Sequence, residues 1–299
     1  MEATALEQRL REHPDDAAAW RAYADALHEL GDVRGKLIEW EQRACMASGA
    51  EREQLTTEIQ LLSEEHQESW DAEVPSEVTV EARRHGFATK VAVAWSDEAP
   101  ALIARALQGR FVTALRIRTG NDPEGEEWGH EEEHWDENGP LMPPPIEADG
   151  LASLDLGRLV ELDLSYFRIG DPGALALAAA TGSGRIETLD LRYCAIGDSG
   201  LAALTAAPQF AEVRSLHLQC NAVTAEGVRS LSGFPHLTEL DLRYNEIGED
   251  GTDALLSSPF VGSLDRLLLY RDDVSEAGVK KLAAAPQLPT TLRSYWRSV

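Results

Sequence analysis

The chain has few cysteines and few basic residues for its 299 residues. Its three cysteines, Cys45, Cys194 and Cys220, have no paired spacing, which argues against a disulfide framework and favours a reducing compartment. The chain has only 27 lysines and arginines but 52 aspartates and glutamates, so its formal net charge is −25. Because phosphate binding needs clustered lysine and arginine, this balance disfavours nucleic acids and anionic membranes as partners. It favours a protein partner with a basic surface, or simply high solubility.

The chain also lacks a long apolar run. No stretch is suited to spanning a bilayer, and the N-terminus leads into a charged amphipathic helix without an apolar signal core. With the sparse cysteines, this predicts a cytoplasmic protein that does not bind membranes. The sequence carries neither a G-x-x-x-x-G-K nor a G-x-G-x-x-G string. It also shows no motif that pairs a nucleophilic residue with a general base. We therefore expect no cofactor and no catalytic activity.

What the sequence does have is a unit repeated from residue 162 to the C-terminus. Each unit opens with two leucines around one residue, continues to a lone isoleucine or valine, and reaches a glycine before a helical stretch. Successive units begin 27, 27, 24 and 27 residues apart, at Leu162, Leu189, Leu216, Leu240 and Leu267. Such a fixed period predicts stacked units that bury their apolar faces on one another. The short alternation predicts one brief strand per unit, parallel to its neighbours.

This pattern resembles the leucine-rich repeat, and its ribonuclease-inhibitor-like subclass in particular. In the second unit the matching residues are Leu189, Leu191, Cys194, Ile196, Gly200, Leu201 and Leu204. The resemblance implies an α/β leucine-rich-repeat solenoid, with parallel strands on its concave face and helices on its convex face. It also implies a ladder of side-chain hydrogen bonds along the turns, donated by Cys194, Asn221 and Asn245. Phe167 and Asp272 take the ladder position in the outer units.

Residues 1–70 have a different pattern, in which apolar residues such as Trp20 and Leu27 follow helical stripes. They predict a small all-α domain. The phrases Tyr23-Ala24-Asp25-Ala26-Leu27 and Arg84-His85-Gly86-Phe87 resemble a bacterial repeat-companion domain, which implies no known chemistry. A tetratricopeptide-like helical pair is the alternative, although no second copy follows at 34 residues.

Residues 71–299 are assigned to the solenoid. Two weaker units precede the clear ones, with alternating pairs at Val91 and Val93 and at Leu115 and Ile117. At the other end, Leu292, Tyr295 and Trp296 predict a degenerate closing unit that shields the last core layer.

An acidic, proline-rich insertion interrupts the solenoid at residues 120–150. It contains no lysine or arginine, and a run of like charge rarely packs, so we expect a solvated loop. Its His130-Glu131-Glu132-Glu133-His134 string matches H-E-x-x-H, in which two histidines hold zinc and the glutamate acts as a base. The neighbouring glycine, acids and prolines disfavour the rigid helix that this motif requires. Trp128 and Trp135 are secondary candidates for contacting a partner, or they fold back onto the solenoid.

The parallel strands align their outward residues in columns about 4.8 Å apart. We predict that three columns form a partner-binding strip, composed of Asp163, Asp190, His217 and Asp241, then Arg192, Gln219, Arg243 and Tyr270, then Tyr166, Tyr193, Tyr244 and Arg271. The aspartates suit a basic partner, and tyrosine is enriched at interface hot spots. The arginines are placed to neutralise the aspartates from along the strand. Aspartate between two leucines is common in this repeat class, so a site on the helix side or in the N-terminal domain, or a purely structural role, stays open.

These patterns predict a non-catalytic protein–protein interaction module, an adaptor or scaffold that binds another protein on its concave face. An inhibitor or immunity protein that occludes a basic enzyme or toxin is the alternative. A metal-dependent hydrolase acting through His130, Glu131 and His134 is a second alternative. The sequence leaves open the partner's identity and the oligomeric state.

Overall fold

A computed structural model describes residues 3–119, 147–182 and 184–298, and the backbone of Trp135–Asp136 and Gly139–Pro140. The chain divides into two compact units. Unit 1 comprises Met1–Ala92 and Ala104–Thr113, and unit 2 comprises Val93–Ile103 and Ala114–Val299. Among the helices that the structure describes, none combines the length and the apolar surface that crossing a bilayer requires.

Unit 1 begins with four helices, which agrees in part with the predicted all-α domain, and adds a β-hairpin from residues that were predicted to belong to the solenoid. The helices are α1 (Ala3–Glu12), α2 (Ala17–Glu29), α3 (Arg34–Met46) and α4 (Gly49–Asp71). The antiparallel strands are β1 (Thr79–Arg84) and β2 (Phe87–Ala94), and the last two residues of β2 belong to unit 2. His85 and Gly86 connect them with φ of 53° and 78°, the left-handed conformation that suits a two-residue hairpin turn.

The core of unit 1 is aromatic. Trp20, Tyr23, Phe87 and Phe111 are each at most 5 % exposed, and their ring centroids lie 4.9–6.5 Å apart. Helix α2 presents the first two of these rings because its apolar residues recur at helical spacing. The carboxylate of Asp16 fixes the start of that helix by accepting a 2.9 Å hydrogen bond from the amide of Ala19.

Unit 2 holds one sheet of parallel strands connected by helices, which confirms the predicted α/β class. In sheet order the strands are β3 (Ala114–Arg118), β6 (Glu161–Asp163), β7 (Thr188–Asp190), β8 (Ser215–His217), β9 (Glu239–Asp241) and β10 (Arg266–Leu268). The segment between β3 and β6 contributes the small antiparallel pair β4 (Trp135–Asp136) and β5 (Gly139–Pro140).

Helices follow the strands of unit 2 in each repeat. Helix α5 (Ala99–Ala106) precedes β3 and contributes residues to both units. The later helices are α6 (Gly170–Ala178), α7 (Asp198–Ala206), α8 (Ala225–Ser230), α9 (Gly248–Leu256), α10 (Arg271–Ala284) and α11 (Thr290–Ser298). Short 3-10 turns occupy Asp149–Ser153, Pro208–Phe210, Leu231–Gly233 and Val261–Ser263.

The two leucines of each repeat hold the stack together. Their side chains are at most 4 % exposed in all five units, and the first leucines pair directly across neighbouring strands. Full burial of one leucine stabilises a fold by roughly 1.5–3 kcal/mol. The repeat period therefore encodes the core of unit 2.

The predicted ladder of turn hydrogen bonds is present. Asn221 donates to the carbonyl of Leu191 in the preceding repeat at 2.7 Å, and Asn245 donates to that of Leu218 at 2.8 Å. Their side-chain oxygens accept the amides of Ile196 and Val223 at 2.9 and 3.0 Å. At the third predicted position, the thiol of Cys194 donates to the carbonyl of Leu164 at 2.9 Å, and burial raises the pKa of that thiol well above its usual value.

The two ends of the ladder are built differently. Phe167 is fully buried and packs its ring 5.5 Å from that of Trp95. The prediction that Asp272 takes the last ladder position is wrong by one residue, because Asp272 is exposed and Asp273 is buried. Asp273 accepts the amides of Tyr244 and Tyr270 at 3.0 and 2.6 Å. Both aspartates lie in the first turn of α10, which begins at Arg271 and has a non-helical backbone at Ser275.

The C-terminal residues form the helix α11. Trp296 on this helix is only 2 % exposed, whereas Tyr295 is 54 % exposed. The predicted closing unit is thus a helix packed against α10.

A carboxylate from one repeat caps the helix of the next. Asp198, at the start of α7, accepts the amides of Thr224 and Gly227 in the following repeat at 2.8 and 2.9 Å. Asp171 does the same for Gly197 and Gly200 one repeat earlier, at 2.6 and 3.1 Å. The recurring glycine leaves room for this carboxylate, since a Cβ at position 227 would lie 2.5 Å from Oδ1 of Asp198.

We predict that Gly227→Ala lowers the free energy of unfolding by about 2 kcal/mol, the cost typical of an overpacked site. Chemical denaturation of the full chain measures this change. Gly262→Ala is the matched control, because a Cβ there meets nothing closer than 3.6 Å. It should shift the unfolding free energy by no more than about 0.5 kcal/mol. Equal effects at the two glycines would contradict the capping role.

Candidate functional site

The predicted strip lies on the strand face of unit 2, in the predicted register. Asp163, Asp190, His217, Asp241 and Leu268 pair in sequence across β6 to β10. Each stands between two buried leucines and therefore projects from the opposite face of its strand. We call the twelve predicted residues the strand strip and consider which of them a partner can reach.

The aspartates of the strip already have partners within the chain. Arg192 donates Nε and Nη2 to Asp190 at 2.9 and 2.7 Å, and Arg243 donates the same atoms to Asp241 at 3.0 and 2.8 Å. The backbone amides of both arginines also bond these carboxylates, at 3.1 Å each. Asp190 and Asp241 are only 9 % and 2 % exposed. The arginines thus neutralise the aspartates, as predicted, and they also cover them.

The contact with Asp190 also stabilises the charged form of Arg192. Burial alone would lower the pKa of Arg192, but the hydrogen bonds and charge of Asp190 raise it above the usual range for arginine. A bidentate pair of this kind holds the guanidinium in one plane. The strip therefore presents oriented guanidinium groups supported by carboxylates.

Asp163 has a different neighbour. Its Oδ1 accepts the amide of Ser165 at 2.9 Å, and its Oδ2 lies 3.8 Å from Nε of Arg116 on β3. Arg116 was not among the residues predicted from the sequence. The signal was available, since Arg116 stands between Leu115 and Ile117 as Asp163 stands between its leucines, and the two residues pair across the strands.

The tyrosines share an unusual backbone conformation. Tyr166, Tyr193 and Tyr244 have φ of 63°, 58° and 57°, and Cys220 at the same place has φ of 54°. Bulky residues rarely adopt this left-handed region. At this position of the turn, Tyr166 and Tyr193 lie side by side in neighbouring repeats.

Together with Tyr270, whose backbone is extended, these tyrosines form two aromatic pairs. The rings of Tyr166 and Tyr193 stack at 4.5 Å with an interplanar angle of 11°. The rings of Tyr244 and Tyr270 lie 4.8 Å apart at 56°, and the guanidinium of Arg243 lies 5.8 Å from the Tyr270 ring. The repeat that contributes Cys220 in place of tyrosine lies between the two pairs.

In the middle of the strand strip, the side chains of Gln219 and His217 are polar and are buried or partly buried. Gln219 is 2 % exposed, and its oxygen accepts Nη2 of Arg243 at 3.2 Å. His217 is partly buried, and its Nε2 lies 3.2 Å from the hydroxyl of Ser215. Gln219 thus supports an arginine rather than facing a partner.

Burial therefore divides the strip into two groups. The supporting residues, all at most 9 % exposed, are Asp163, Asp190, Tyr193, Gln219 and Asp241. The accessible residues, which are partly or fully exposed, are Tyr166, Arg192, His217, Arg243, Tyr244, Tyr270 and Arg271.

A groove of about 410 Å³ continues the strip at its C-terminal end. Its walls include Leu268 on β10, Tyr270 just after that strand, and Leu292 and Tyr295 on α11. Arg243 lines both this groove and the strip. The accessible surface of the strand strip thus contains guanidinium groups paired with aspartates, and it ends at an apolar groove.

The secondary candidates belong to the insertion at residues 120–150. Trp128, His130, Glu131 and His134 lie outside the described residues, and only the backbone of Trp135 is described, in β4. Their roles as partner contacts or metal ligands stay predictions.

Comparison with known families agrees with the repeat seen in the structure. The family model described as Leucine Rich repeat matches residues 159–178, 186–204, 213–232 and 235–256. These segments cover β6 to β9 and the helices that follow them. The matches support a leucine-rich-repeat protein, and this repeat is typically a non-catalytic fold that mediates protein–protein interaction. No curated protein matches the chain.

Proposed function

We propose that this chain is a non-catalytic adaptor or scaffold that binds a protein partner on the strand strip, the predicted concave face. The observation that carries the proposal is the pair of tyrosine clusters, in which Tyr166, Tyr193 and Tyr244 occupy left-handed backbone positions while Tyr270 is extended. A tyrosine in the strained left-handed conformation lowers the stability of the fold. A turn with only a structural role avoids that loss by using glycine or asparagine. Tyrosine and arginine are also the residue types that contribute most to binding energy at protein interfaces.

Two electrostatic effects act at different distances. The net charge of −25 steers a partner with a basic surface toward the chain, an effect that salt screens over about 10 Å at 0.1 M ionic strength. At contact, the buried aspartates act through Arg192 and Arg243, while Tyr166, Tyr244 and Tyr270 supply accessible rings. The partner therefore meets aromatic and guanidinium groups rather than bare carboxylates.

The second candidate is an inhibitor or immunity protein that occludes a basic enzyme or toxin. The acidic balance of the chain favours it for the same steering reason. The two functions share one surface and differ in what the partner does once bound. Loss of the partner's activity on binding would identify the inhibitor.

The protein is proposed to act in the cytoplasm. The thiol of Cys194 serves as a ladder donor, and Cys45, Cys194 and Cys220 are all free. A thiol used in this way has to stay reduced, which a reducing compartment ensures.

The test is a binding measurement with the double variant Tyr166→Asn and Tyr244→Asn. Asparagine tolerates positive φ, so the backbone conformation is kept while both rings are removed. A stoichiometric partner captured by the wild-type chain should bind the double variant at least about tenfold more weakly, as expected for hot-spot residues.

Leu175→Asn is the control for that measurement. Leu175 is 54 % exposed on α6, away from the strand strip. This variant should keep the wild-type affinity. If the double variant binds the same partners with unchanged affinity, the strand strip is not the binding site.

A further inference from the structure

Three side chains that can bind a metal ion lie together on unit 1. Asp25 and His28 are three residues apart on α2, and Glu39 is on α3, which packs against it. One ligand atom from each residue lies within 4.8 Å of the other two. We propose that Asp25, His28 and Glu39 bind one divalent transition-metal cation of the zinc type, which joins α2 to α3.

The backbone of α3 positions the imidazole. A Cβ at Gly35 would lie 2.7 Å from Cδ2 of His28 and 3.0 Å from its Nε2. The ring can approach α3 this closely only because position 35 is glycine. Its Nδ1 lies 3.7 Å from Oε1 of Glu39. The ring orientation that the site needs therefore exists without a metal.

The charges around the cluster are not balanced by arginine or lysine. In the described part of the chain, neither Asp25 nor Glu39 forms an ion pair with either residue type. The ammonium of Lys36, one turn before Glu39, lies 4.1 Å from the centre of the Trp40 ring. Two neighbouring carboxylates repel each other when both are ionised, and a bound cation removes that repulsion.

The donor set selects the kind of metal. Magnesium and calcium prefer oxygen ligands throughout, whereas an imidazole suits zinc and the other late first-row cations. Ligand atoms of a tetrahedral zinc ion lie roughly 3.4 Å apart, given bond lengths of about 2.1 Å. All three side chains are exposed, so small rotations can close the observed spacing. Three protein ligands leave a fourth position for water or for a donor from a partner.

The experiment is a calorimetric titration of the chelator-treated full chain with zinc chloride. We expect one equivalent of zinc to bind, and the midpoint of thermal unfolding to rise with zinc concentration. His28→Ala and Glu39→Gln should each weaken this binding at least about tenfold, because losing a direct ligand costs more than losing a residue that only orients a ligand. His236→Ala, which removes an exposed imidazole from unit 2, should bind like the wild type.

A further variant separates this site from the H-E-x-x-H string. The double variant His130→Ala and His134→Ala should retain the equivalent of zinc that His28→Ala loses. Unfolding of His28→Ala in the presence of chelator should match that of the wild type, which shows that the variant folds. The proposal is overturned if His28→Ala and Glu39→Gln bind zinc like the wild type, if only the double variant loses it, or if zinc does not bind at all. None of these outcomes depends on whether the strand strip binds a partner.

Discussion

Asn245→Ala is expected to lower the free energy of unfolding by about 3 kcal/mol. Asn245 is 6 % exposed, and its side-chain nitrogen donates to the carbonyls of Leu218, Leu242 and Arg243 at 2.8, 3.1 and 3.2 Å. Its oxygen accepts the amide of Val223 at 3.0 Å. The carbonyls of Leu218 and Arg243 keep other donors in the Asn221 side chain and the Cys220 amide, but the Val223 amide and the Leu242 carbonyl lose their side-chain partner. Each such loss costs about 1–3 kcal/mol before relaxation or water entry compensates part of it.

Denaturant unfolding followed by circular dichroism measures this effect. Glu246→Ala is the control, since Glu246 is adjacent in sequence and exposed. Its unfolding free energy should stay within about 0.5 kcal/mol of the wild type. Indistinguishable midpoints for the two variants would show that the ladder contributes little to the stability of unit 2.

Arg34→Ala is expected to destabilise unit 1 by about 3 kcal/mol. The guanidinium is 4 % exposed and bonds Asp32 and Glu73 through Nη2 at 2.7 and 2.6 Å. It also lies 4.2 Å from the centre of the Phe87 ring. Although burial lowers the pKa of Arg34, the two carboxylates raise it above its usual range. Removing one partner of a buried pair is strongly destabilising, and the partial exposure of Glu73 places this case at the lower end of that range.

Arg43→Ala is the matched control for this prediction. Arg43 bonds Glu51 at 2.6 Å, but the two side chains are 65 % and 50 % exposed. Such a surface pair contributes at most about 1 kcal/mol. Thermal unfolding of the two arginine variants compares the buried and exposed environments directly. A smaller loss for Arg34→Ala than for Arg43→Ala would contradict the assigned role of Arg34.

The division of the strand strip has a consequence for mutational work on binding. Asp190 and Asp241 are buried beneath arginines, so their replacement changes the orientation of Arg192 and Arg243 as well as the charge. A loss of binding in an aspartate variant would therefore not show that a partner contacts the carboxylate. The tyrosine variants are the more direct probe because Tyr166 and Tyr244 are accessible.

The strands and core of unit 2 were predictable because burial in a repeat follows local spacing. Two leucines around one residue determine which side of a strand faces inward, and the period determines which residues become neighbours. The positions of Asn221 and Asn245 in the ladder followed from the family resemblance for the same reason. Arg116 could have been included by applying the same alternation to the weaker unit.

Other features of the structure could not be predicted from the spacing of residues along the chain. Asp273 takes the place predicted for Asp272, because it is the Asp273 carboxylate that accepts the amides of Tyr244 and Tyr270 in the folded chain. The cluster of Asp25, His28 and Glu39 brings together residues from two helices, so it could be seen only after these helices were placed side by side. The burial of Tyr193 and Gln219 likewise depends on neighbouring repeats.

The sequence by itself thus determined the repeat, the parallel pairing and the set of residues that project from the strand face. These properties follow from periodic burial, which is written in the order of residues along the chain. Only the tertiary structure decided which of those residues a partner can reach. Accessibility depends on how side chains fold onto one another, since Arg192 and Arg243 cover the aspartates two residues before them and the tyrosine rings of neighbouring repeats pack together.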